Sequence, residues 1–156
     1  MSVMRQNNCC AMYRRGFDAA VMMALVGPVV GGAVFGLMTY FNHIILTVRG
    51  QIPGPPVLIN ELLLFFLLPL GFALIAPLLP HVWYMAAMAA LYVVPRVGIT
   101  GRMTWAETVI LAVICVAAFG NVYPKEFLEI IRHSLLPTIC GAVAVRYFAG
   151  RWGYIH

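Results

Sequence analysis

FDAAVMMALVGPVVGGAVFGLMTYFNHIILTV, residues 17–48, is the stretch that decides the fold. Asp18 is its one charged residue, and Asn42 and His43 are its other strongly polar interruptions. A helix rises 1.5 Å per residue, so about 20 residues cross ~30 Å of hydrocarbon. The stretch is therefore long enough for one crossing with a tilt or an interfacial extension, and too short for two. Pro28 is a candidate kink. Small residues recur at Ala20, Ala24, Gly27 and Gly31, with a second pair at Gly32 and Gly36. Positions three and four apart share a helix face, and small side chains there let two backbones approach closely in lipid. These six residues form a predicted helix-packing face, serving contacts within the protein or with another subunit.

Upstream, residues 1–16 are polar and carry Arg5, Arg14 and Arg15. No small-x-small cleavage site follows a short apolar core, so this reads as a basic cytoplasmic segment before an uncleaved first span. Downstream, RGQIPGPP (residues 49–56) cannot sustain a helix, because three prolines and two glycines fall within it. Apolar sequence resumes over Val57–Pro80, with Pro69 and Pro77 predicting a kinked span whose freed carbonyls neighbours can satisfy. His81–Pro95 is a third, shorter run, and the PLLPH junction (residues 77–81) reads as the tight turn of a helical hairpin. RVGITGRM (residues 96–103) reads as a loop, Thr104–Tyr123 as the cleanest span. The last run, Phe127 to about Ala149, is expected to divide at Pro137. Its first half places Glu126, Glu129, Arg132 and His133 at the spacing of an amphipathic surface helix.

Five apolar segments thus raise the question of how many cross. If all do, the basic residues split evenly between the two sides. If the last run lies at the interface, or the third fails to cross, seven stand with the N-terminus against three. The expectation is an all-α, polytopic membrane helix bundle of four transmembrane helices, with one further segment interfacial and both termini cytoplasmic. The membrane-embedded domain covers 17–149 and a short basic tail covers 150–156. Arg-dominated loops point to a bacterial inner (plasma) membrane.

Composition agrees. Hydrophobic residues make up 63% of the 156 and charged ones 10%, where a soluble domain carries about 25% charged. Such a chain in water would expose large apolar patches. The net charge of +5 fits topology and anionic headgroups, not nucleic acid. Cys9 and Cys10 are adjacent, while Cys115 and Cys140 fall in apolar runs, so no disulfide framework is implied. Ser2 and Ser134 lack a GxSxG context, Asp18 is the single aspartate, and no phosphate-binding loop is present. The chain is not expected to be an enzyme or to hold a cofactor or metal. His43, His81 and His133 lie on different elements and read as structural or interfacial.

Ionisable groups within apolar runs are functional candidates by default. Glu61, Glu107 and Arg146 are therefore candidates for an ion or polar site, although Glu107 also suits a helix N-terminus. With no outward domain, polar face or catalytic set, the expected function is a small accessory or assembly subunit of a larger membrane complex. Its expected partners are the lipid bilayer and other membrane subunits or a second copy. A small transporter or pore is one alternative, and a membrane immunity, exclusion or toxin-like factor is another.

Overall fold

The computed structural model describes the backbone of residues 2–51 and 58–155, and the side chains of 14–51 and 62–155. Glu61's side chain, the side chains of Cys9 and Cys10, and residues 52–57 of the proline-rich loop lie outside that description. The chain is all-helical, 88% helix, with no strand among the described residues. Its elements are α1 (Ser2–Val48), α2 (Leu58–Ile75), a 3₁₀ turn (Ala76–Leu78), α3 (Pro80–Thr100), α4 (Trp105–Val122) and α5 (Phe127–Arg151). Among the described residues, four helical stretches are long and apolar enough to cross a membrane: Arg14–Val48, Pro80–Thr100, Trp105–Val122 and Phe127–Arg151.

Helix α1 is the axis of the molecule. It packs along α2, α3 and α5, and α4 completes the bundle against α5 with a lighter contact on α3. It is unbroken across residue 16, so the basic segment and the apolar stretch are one helix. Gly16 lies against the backbone of Val94 in α3, and Gly32 against Phe72 and Ala76. Gly36 meets Leu68 and Pro69, and the Tyr40 and Phe65 rings stack edge to face with centroids 5.3 Å apart. Reading upward along α1 from 16 to 40, its partners therefore descend from 94 to 65. Both α2 and α3 run antiparallel to α1, one after the other.

This corrects the hairpin expected at PLLPH. Helices α2 and α3 do not pack on each other; they follow end to end in the same direction. The physical reason is local. Pro80 at the first turn of α3 pushes the preceding Leu79 out of the helical region, to φ −80° and ψ 128°. One extended residue between helical turns offsets an axis without reversing it. The break is sealed by Trp83, whose Nε1 donates to the carbonyl of Pro77 at 2.8 Å.

Two further expectations change. Helix α3 continues through Pro95 and Arg96 to Thr100, where Gly101 caps it at φ 63°. The expected loop is thus mostly helix, because Val93 and Val97 are fully buried and Arg96 finds a partner described below. Helix α5 does not divide at Pro137. Pro137, Gly141, Val145 and Ala149 recur every four residues and are all buried, so α5 lays a narrow stripe against the bundle instead of lying apart at an interface. Glycine at 141 is required there, since a Cβ would run into the backbone of Gly27. Helix α2 is the one that stands apart. It packs on α1 and the 3₁₀ turn and on no other element.

Candidate functional site

Two places hold polar groups in arrangements that sequence spacing cannot show. The first closes the α3–α4 end. Thr104 caps α4: its Oγ1 accepts from the Glu107 backbone N–H at 3.1 Å, and Glu107 Oε2 accepts from the Thr104 N–H at 2.7 Å. This reciprocal capping box satisfies two donors that a helix start leaves orphaned. The other oxygen of Glu107 accepts from Arg96 Nη2 at 2.8 Å and Nε at 3.1 Å, with the Tyr92 hydroxyl at 3.4 Å. Nearby, Arg146 Nε donates to the Met103 carbonyl at 2.7 Å, and its guanidinium lies 5.1 Å from the Trp105 ring centroid. Glu107 and Arg146, candidates for an ion site, are thus each engaged in holding the 101–104 connection. Charge is tied to backbone here.

The glycine face of α1 divides into two. Gly27 touches Val145 and Gly31 approaches the Pro137 carbonyl, both in α5. Gly32 and Gly36 face α2. Ala20 and Ala24 are half-buried and lie at helical spacing from Gly27 and Gly31. Both faces are occupied by this chain's own helices.

The second place is a cavity of about 480 Å³ between α1, α3, α4 and α5. It exists because small residues face one another across the bundle: Gly27 and Gly31, Ala86 and Ala89, Ala112, and Gly141 and Ala142. The α3 and α5 backbones do not approach one another closely, nor do those of α1 and α4, while Ala19, Val93, Val97, Met103 and Ala149 close the core toward the α3–α4 end. Met23, Phe35, Met85, Leu111 and Cys115 add apolar wall. Thr108, fully buried, is satisfied by donating to the Thr104 carbonyl at 3.0 Å. At one end, where α3 and α5 begin, the lining becomes polar with His81, Glu126, Glu129 and His133. Arg132, expected on the same face as these acids, does not line the cavity; nor does Lys125.

Sequence reasoning did not bring His81 and His133 together. They are remote in sequence, and only the course of the broken α2–α3 segment puts His81 at the same end as α5's first turns. Among the described residues no group of three or more His, Cys, Asp or Glu could hold a metal ion. His43 is half-buried on α1 and does not line the cavity. Comparison with protein-family models, with curated proteins and with solved structures returns no match.

Proposed function

We propose that this chain is an integral membrane subunit of four crossings that works by packing α2 against another membrane protein. One observation carries the reading. Residues 62–75, LLLFFLLPLGFALI, contain no polar side chain, yet α2 has only α1 and the 3₁₀ turn to pack on. Leu62, Leu63, Phe66, Leu67, Leu70 and Leu74 are all at least half exposed. In water that surface would be an aggregation site, so hydrocarbon or a partner must cover it. Its length favours a partner. From Arg14 to Val48 α1 extends ~52 Å, while α4 extends ~27 Å, close to the hydrocarbon thickness. The α1–α2 pair therefore continues past the bundle, apolar apart from Asn42 and His43 of α1 and Asn60 and Glu61 at the start of α2.

In this reading α2, the 3₁₀ turn and α3 make one broken crossing, of the kind tolerated where neighbours satisfy the freed backbone. Crossings then number four: α1, the α2–α3 segment, α4 and α5. Arg5, Arg14, Arg15, Arg96, Arg102, Arg146 and Arg151 fall on the side of the termini, and Arg49, Lys125 and Arg132 on the other. That seven-to-three division supports cytoplasmic termini.

The test has two parts. Single cysteines at Gln51 and Asn121 are expected to react with an impermeant thiol reagent from outside intact cells, and one at Arg102 only after lysis. Opposite reactivity of positions 51 and 121 contradicts the broken crossing. Mild-detergent extraction is expected to recover the chain in a stoichiometric complex, which Phe66→Ser with Leu70→Ser dissolves while leaving the chain folded. A small carrier is the second reading, favoured by the central cavity. It requires flux in proteoliposomes of the chain alone, lost when Ala86→Phe fills the cavity.

A further inference from the structure

The cavity makes a claim of its own, independent of what α2 packs against. We propose that it binds an amphiphile with a single hydrocarbon chain and a cationic head, the chain lying between α1, α3, α4 and α5 and the head between Glu126 and Glu129. Three observations converge on this occupant. The volume, about 480 Å³, falls in the range of sites that take small organic ligands. Its walls are apolar over most of their area, from Met23, Phe35 and Met85 to Leu111 and Cys115, and the one buried hydroxyl among them, on Thr108, already has its hydrogen bond. Such a wall offers a hydrocarbon chain burial, with the Ser134 and Thr138 hydroxyls of α5 as the other hydroxyl groups on it.

The carboxylates and imidazoles of the lining are confined to one end. Glu126 and Glu129 line the mouth together with His81 and His133, and no lysine or arginine lines the cavity. Neither carboxylate has a hydrogen bond or ion pair within the described residues. The nearest basic residues in sequence, Lys125 in the turn before α5 and Arg132 one turn after Glu129, do not line the cavity. A carboxylate accepts and cannot donate when ionised. The mouth therefore recognises a head that donates and carries positive charge, an ammonium above all, and disfavours a sulfate or carboxylate. An ammonium can belong to a free long-chain amine, whose head is a bare cation, or to the ethanolamine headgroup of a lipid, which adds a phosphate and carries no net charge.

The experiment compares heads on one chain length. The purified protein in a neutral detergent is titrated with dodecylamine, dodecanol, dodecyl sulfate and a twelve-carbon lyso-phosphatidylethanolamine, and bound adducts are counted by native mass spectrometry. An ammonium-bearing ligand is expected to bind at least about tenfold more tightly than dodecanol, as a charge-assisted hydrogen bond provides, with dodecyl sulfate weakest. Whichever of the two ammonium ligands binds more tightly assigns the source. Glu126→Gln with Glu129→Gln is expected to reduce the ammonium ligand to the affinity of the alcohol, and Ala86→Phe to weaken both together. Equal binding of amine and alcohol, preference for the sulfate, or binding indifferent to Ala86→Phe overturns the proposal.

Discussion

The α3–α4 end and helix α2 solve opposite problems. At the α3–α4 end, Arg96, Glu107, Thr104 and Arg146 all find partners within the chain, through an ion pair, a capping box and a backbone carbonyl. Helix α2 has no polar group over residues 62–75 to satisfy and too little of the chain to bury against: Ala73 is its one buried residue among these. One end is complete in itself. The other is complete only in contact with something apolar outside it.

The sharpest way to break the contrast is at the seam between the two regions. Gly36 lies against the backbone of Leu68 and Pro69, where an added Cβ would sit 2.6 Å from both. Since backbone cannot move aside as a side chain can, Gly36→Leu is expected to cost about 3 kcal/mol, the upper end of overpacking. Reversible unfolding in mixed micelles measures it, and a loss below about 1 kcal/mol would show that α2 is not seated on α1 as described. Gly141→Leu, on the α5 side, is expected to cost a similar amount through the backbone of Gly27.

Smaller effects belong to the self-contained end. Arg146→Lys removes the Nε donor to the Met103 carbonyl and the planar group over Trp105, and is expected to cost about 1 kcal/mol. Thr104→Ala deletes the N-cap of α4 and is also expected to cost about 1 kcal/mol, read by the same unfolding measurement. Smallest of all is the predicted effect of Phe66→Ser with Leu70→Ser on the isolated chain, within about 0.5 kcal/mol, because these side chains touch little of it. If the pair instead destabilises the isolated chain by several times that, α2 packs on its own bundle and the contrast fails.

Much of this was legible in the residues. The run from Phe17 to Val48 reads as one helix because its few polar residues, Asp18, Asn42 and His43, fall near its ends, and Thr104 with Glu107 three residues on marks the start of α4. What stayed hidden depended on direction and register. Pro77 and Pro80 mark a break in the helix, but a break does not say whether the chain turns back or goes on. That is set by α1, whose glycines seat α2 and α3 in succession. The stripe Pro137, Gly141, Val145 and Ala149 was present in the sequence at a spacing of four. It was obscured by reading Glu126, Glu129, Arg132 and His133 as a surface helix that ends at Pro137. The cavity could not be read at all, since it depends on small residues of separate helices meeting at one level.

The account turns on whether protein covers α2. A photo-crosslinking residue placed in native membranes at Phe66 or Leu70, and for contrast at Ile110 or Ile114 of α4, tests this most directly, because all four side chains are more than half exposed in the isolated chain. The expected result is a discrete protein adduct from 66 and 70, and lipid adducts alone from 110 and 114. Lipid adducts alone from all four positions would contradict it.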